Sequence, residues 1–267
     1  MSPAILAVFV VAFLASLLGP LCGIGGGVII KPVVDAMGIM PVATVSFLSS
    51  VSVLTMSLAT LAQNAATGTS TVDARAMLPL ATGSAAGGVV GKIAFNWLGR
   101  SVFTDSELVG AVQAAILIAL TACVFAYTLR RDRVRALDVR GNATKAAIGF
   151  VAGALWSFLG IGGGPFNLAI LTFFFAMGTK PAAQASLFII AFSQTASLVY
   201  SLVRGGLPEF APLALAGMCA AAVAGSVFGR KIARRVSSQV IDRTYLFALA
   251  LIMVVCVYNF ARFAGLR

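Results

Sequence analysis

Apolar residues recur from end to end of the chain in blocks of about twenty, the length of one helical membrane crossing, separated by short polar stretches. The blocks run over roughly 3–37, 41–63, 78–98 and 108–129, then over 145–177, 181–203, 211–232 and 245–263. Six of them fit single helices through a hydrocarbon core of about 30 Å. The other two, 3–37 and 145–177, are too long for one straight crossing and too short for two. Each is interrupted by glycines: Gly23-Ile24-Gly25-Gly26-Gly27 and Gly160-Ile161-Gly162-Gly163-Gly164. Four glycines in five residues oppose continuous helix, because each costs about 1 kcal/mol relative to alanine. We expect each long block to be a broken, re-entrant hairpin whose bare main-chain amides need a partner inside the bilayer.

The two motifs lie 137 residues apart, and the matching continues beyond them. At an offset of 140, Ala36-Met37-Gly38 matches Ala176-Met177-Gly178, and Pro41, Ala43, Ser46, Thr55, Ser57 and Leu58 match Pro181, Ala183, Ser186, Thr195, Ser197 and Leu198. At 138, Gly87 and Gly91 match Gly225 and Gly229, a four-residue spacing that suits close helix packing. The pattern predicts an all-α membrane protein built by internal duplication: a first repeat over 1–135 and a second over 136–267, each one hairpin plus three transmembrane helices. Composition leaves no room for a soluble domain of ordinary size: 60% of residues are hydrophobic, 10% are charged and the mean hydropathy is +1.02. No basic residue precedes the first block, so we expect it to be retained rather than cleaved as a signal peptide.

The net charge of +11 does not point to nucleic acid, because Lys and Arg gather in short segments between apolar blocks. Arg130, Arg131, Arg133, Arg135, Arg140 and Lys145 form one cluster; Arg230, Lys231, Arg234, Arg235 and Arg243 form another. If each broken block crossed once, the basic residues would divide almost evenly between the two sides. If each returns to its own side, the repeats are inverted and 13 of the 19 Lys and Arg face one side against 6 on the other. The excess of positive charge in cytoplasmic loops favours the hairpins and puts both termini outside.

Inverted repeats bring their breaks together near the membrane midplane, where helix N-termini aim free N–H groups and a positive dipole end. Such a point suits an anion. The helix after each hairpin adds a polar face, Ser46, Ser50 and Ser57 with Ser49 beside them in the first repeat and Ser186, Ser193 and Ser197 with Gln194 at the edge in the second. Lys31 follows the first turn and Asn167 the second; an ammonium and an amide can both hold an anion. A local Lys31–Asp35 pair, with the lysine reaching toward the surface, competes with that role. Every acid falls at or outside a predicted span end and the chain has no histidine, so neither a proton relay nor a metal site is expected. Cys22, Cys123, Cys219 and Cys256 are isolated in apolar blocks, and no hydrolase, zinc-protease or nucleotide motif appears. No enzyme activity and no cofactor are therefore expected.

Gly23-Ile-Gly-Gly-Gly-Val-Ile-Ile-Lys-Pro32 and Gly160-Ile-Gly-Gly-Gly-Pro-Phe-Asn167, followed by Ala176-Met-Gly178 and Ser186-Leu-Phe188, resemble the TauE/SafE sulfite exporter family, also called TSUP permeases, over essentially the whole chain. The resemblance implies a bacterial inner-membrane transporter of sulfite-type, organosulfur or related carboxylate anions, with membrane lipid as its surroundings. A negative cell interior drives anions outward by about 2.3 kcal/mol per charge per 100 mV, so export is the simpler expectation. An anion channel, an uptake permease and a scaffold whose glycines only pack helices are the alternatives. The sequence leaves monomer and homodimer open.

Overall fold

The computed structural model describes residues 3–101, 106–205 and 207–265. They form ten α-helices: α1 (Pro3–Cys22), α2 (Gly27–Met37), α3 (Val42–Ala66), α4 (Ala74–Ser101), α5 (Ser106–Leu129), α6 (Asn142–Leu159), α7 (Gly164–Phe174), α8 (Thr179–Val203), α9 (Pro212–Arg235) and α10 (Ser238–Phe263). Seven of these, α1, α3, α4, α5, α8, α9 and α10, are long and apolar enough to cross a membrane. Helices α2 and α7 have 11 residues each, and at 1.5 Å per residue reach only about half of a bilayer core. The two long apolar blocks are thus broken at the glycines, as expected.

Both breaks turn the chain back. Helix α1 ends beside the start of α10, where the Cys22 thiol approaches the Ile241 carbonyl at 3.8 Å. Helix α2 then lies along α10 in the same direction: Asn259 donates to the Pro32 carbonyl at 2.8 Å and Arg262 to that of Asp35 at 2.8 Å. In the second half, the amides of Leu137 and Val139, just before α6, bond the carbonyls of Phe173 and Phe174 at the end of α7. The chain leaves that end of the bundle in α6 and returns to it in α7.

Small residues set the tightest helix contacts. A methyl group on Gly87 or Gly91 of α4 would lie 2.0 or 2.1 Å from the carbonyl oxygens of Phe150 or Ala154 in α6. On Gly225 or Gly229 of α9 it would lie 2.4 or 2.1 Å from those of Phe13 or Leu17 in α1. These four glycines therefore allow backbone-to-backbone packing without a side chain between. The first arm of each hairpin is clamped by the fourth helix of the other half, and this exchange brings the two glycine turns together.

The ends of the bundle differ in charge. At one, Arg230 bonds Asn64 at 2.7 Å, Thr179 bonds Asp242 at 3.0 Å, and the segment 130–141 lies beside the end of α7. At the other, Thr44 bonds the Glu209 carbonyl at 2.9 Å and Arg262 caps the end of α2. Both sequence clusters of Lys and Arg fall at the first, basic end.

Candidate functional site

Each turn is built from positive-φ glycines. Gly23, Gly25 and Gly26 have φ of 67°, 72° and 68°; Gly160, Gly162, Gly163 and Gly164 have φ of 67°, 74°, 93° and 33°. Residues with a Cβ rarely adopt this region, so the motif is a backbone requirement. Gly26 and Gly163 act as N-caps of α2 and α7 without a side-chain cap. The amides of Gly25, Gly26, Gly162 and Gly163 make no backbone hydrogen bond among the described residues. The turns also interlock: Cβ positions on Gly27 and Gly164 would fall 2.3 Å from the Ile161 carbonyl and 2.0 Å from that of Ile24, and one on Gly25 would fall 3.3 Å from the Gly164 Cα.

Side chains make the two turns unequal. Around the second, Gln194 Nε2 lies 3.5 Å from where a Cβ on Gly162 would be, Asn167 Nδ2 lies 2.7 Å from that of Gly163, and Ser46 Oγ lies 2.8 Å from that of Gly160. All three atoms are buried and have no hydrogen-bond partner among the described residues. A buried unpaired donor costs about 1–3 kcal/mol, so three at one turn mark a place suited to a ligand rich in acceptors. The positions matching Gln194 and Asn167 in the first half are Leu54 and Ile30. At the first turn, serines are engaged with main-chain carbonyls: Ser186 donates to the Gly23 carbonyl at 2.9 Å and Ser49 to that of Gly27 at 3.5 Å.

Asn167 is oriented by a residue that sequence reasoning missed. The indole N–H of Trp156 donates to Asn167 Oδ1 at 2.8 Å, and the indole stacks on Phe166 with centroids 4.8 Å apart. With its oxygen occupied, the amide presents only its NH2. The available signal was a tryptophan one turn before the motif, matched in the first half by Gly19, against which Met56 packs. Tyr245 of α10, also missed, donates to the Pro165 carbonyl at 2.6 Å and fixes the start of α7.

Lys31 takes the pairing alternative. Its Nζ lies 2.6 Å from Asp35 Oδ2, with the side chains 2% and 4% exposed. The reach toward the surface is corrected: an ammonium held by a carboxylate one turn further along α2 points away from the glycines and stays buried. Asp35 lies in the last turn of α2, at the span end where the sequence put it, and is buried with its charge matched locally. The serine stripes divide as well. Ser193 Oγ faces Gly88 of α4, Ser197 bonds Ser157 at 2.8 Å, Ser57 is buried, and Ser50 is half-buried. Among the described residues, no cluster of three His, Cys, Asp or Glu could hold a metal.

A polytopic bundle whose two glycine-rich turns meet is matched by the profile of one family, Sulfite exporter TauE/SafE, over residues 8–256 of 267. The chain belongs to the TauE/SafE family. As a member it is a membrane transporter for sulfite-type anions, and the match extends over nearly the whole length. No curated protein and no solved structure matches it.

Proposed function

We propose that this TauE/SafE protein is a carrier that exports a small sulfite-type, organosulfur or related carboxylate anion across the bacterial inner membrane, by alternating access around the paired glycine turns. The observation that carries the reading is the trio of buried, unpaired donors from Ser46, Asn167 and Gln194 beside Gly160, Gly162 and Gly163. Neutral donors and bare amides replace water around an oxyanion without a fixed counter-charge, so the anion is held and also released.

The two halves act as inverted repeats in this reading. In support, α1 runs toward the basic end and α2 back from it, whereas α6 runs away from the basic end and α7 back to it. The basic end is cytoplasmic and both termini are outside, in keeping with the positive-inside bias. Lys31 and Asp35 stand in α2 between the turn and the outer end, and Ser186 and Ser49 hold the helices around the turns rather than the anion.

Export follows from the membrane potential, which drives each negative charge outward by about 2.3 kcal/mol per 100 mV. Counterflow of labelled sulfite in proteoliposomes with an imposed potential tests the proposal. A saturable exchange accelerated by a potential positive on the receiving side is expected. Conductance without counterflow identifies a channel instead, and transport indifferent to the potential overturns charge-driven export.

A further inference from the structure

A cavity of about 240 Å³ opens at the basic end between α1, α3, α8 and α9 and is separate from the unpaired donors around the second turn. Lys180, Arg230 and Arg234 line it, with Asn64 and Gln184, and no acid is among its described lining residues. The Arg230 guanidinium donates to Asn64 Oδ1 at 2.7 Å and to the hydroxyls of Thr67 and Thr69. All of these acceptors are neutral, so the cation is positioned without being compensated. Gln184 pins the same rim, accepting from the Thr71 amide at 3.0 Å.

The floor of the cavity reaches the first glycine turn. Ala183 and Leu21 belong to the lining, and a Cβ on Gly23 would lie 2.6 Å from the Ala183 Cα. Three cations in a partly enclosed space, where field lines concentrate, raise the local concentration of anions, and the lining beneath them includes Pro20 and Leu21 at the end of α1.

We propose that this vestibule is a second anion-binding site, which takes the same small oxyanion from the cytoplasmic side before it reaches the turns. The inference rests on the transport reading for its choice of ligand. Lys180 and Arg234 supply charge, and Arg230, fixed through Nε and Nη2 by Asn64 and the threonines, adds its own charge and the donors of Nη1. An anionic lipid headgroup offers similar chemistry; the cavity's polar rim and its continuation to Gly23 assign it to a solute.

The test is equilibrium dialysis of labelled sulfite against the purified full-length protein in neutral nanodiscs at low ionic strength, with the Lys180→Gln/Arg234→Gln double variant and with Gln194→Leu. Arg230 is kept, because it ties α9 to the end of α3. The wild type is expected to bind two sulfites per chain. The double variant should weaken one site at least tenfold and leave the other unchanged, and added salt should weaken that same site more steeply. Binding of one sulfite, abolished by Gln194→Leu and unchanged in the double variant, overturns the vestibule while leaving the central site standing. One sulfite, abolished by the double variant and untouched by Gln194→Leu, supports the vestibule and sinks the central site. Absence of any sulfite binding overturns the vestibule, and so does loss of the second sulfite in phosphatidylglycerol nanodiscs, which assigns the cations to lipid.

Discussion

Gly164 sits so close to Ile24 that a methyl on its Cα would lie 2.0 Å from the Ile24 carbonyl oxygen, and Gly27 stands in the same relation to Ile161 at 2.3 Å. Each hairpin turn is thus seated on the backbone of the other. Gly164→Ala and Gly27→Ala must displace main chain and are expected to destabilise the fold by about 3 kcal/mol or more. Gly68→Ala, at a positive φ of 62° with nothing within 4 Å, carries only the backbone strain of about 1–2 kcal/mol. Melting of the detergent-solubilised variants checks the order.

On the proposed reading, Gln194 separates stability from activity. Its Nε2 is buried with no partner, so Gln194→Leu removes an unsatisfied donor and is expected to leave the melting temperature unchanged or raise stability by about 1 kcal/mol. Sulfite transport should fall at least tenfold in the same protein. A variant with wild-type transport removes Gln194 from the site.

Trp156 acts through Asn167. Trp156→Phe keeps the ring stacked on Phe166 but leaves Asn167 Oδ1 without its donor, and is expected to cost about 1–3 kcal/mol and to raise the KM for sulfite. Asn167→Asp keeps the acceptor for the indole and replaces the NH2 with a carboxylate oxygen facing the glycines. Transport kinetics should show it more damaging than Asn167→Ala, because a fixed negative charge repels the anion.

The buried Lys31–Asp35 pair predicts strong coupling. Lys31→Met or Asp35→Leu alone leaves one buried charge unmatched and is expected to destabilise by about 3–5 kcal/mol. The combined Lys31→Met/Asp35→Leu variant should return close to the wild-type melting temperature. Additive losses in this double-mutant cycle contradict the pairing.

Orientation is checked by single cysteines on a cysteine-free background. Arg135→Cys, at the basic end, should resist a membrane-impermeant thiol reagent in intact cells, and Glu209→Cys, at the opposite end, should be labelled. The reverse pattern inverts the direction of transport argued above.

The spans and the two breaks were legible in the sequence because each is a local property. Apolar length marks a crossing and clustered glycines end a helix. Helix limits were less legible: α10 starts at Ser238 rather than near Tyr245, and α4 at Ala74 rather than Leu78. Hydropathy falls at the edge of the hydrocarbon, but backbone hydrogen bonding carries the helix on through Arg243 and Arg75.

The division of labour at the turns was decided by tertiary structure. The substitution of Gln194 for Leu54 and of Asn167 for Ile30 is visible in the repeat, but whether those amides face the glycines depends on the rotation of α7 and α8 about their axes. Ser186 and Ser193 lie on one stripe, yet one reaches Gly23 and the other faces α4 at Gly88. Lys31 was placed one turn from the glycines by its position, and only its packed surroundings turned the ammonium toward Asp35. Periodicity encodes which face of a helix is buried; the partner that face meets is fixed by how the helices cross, and contacts between residues far apart in the chain set that crossing.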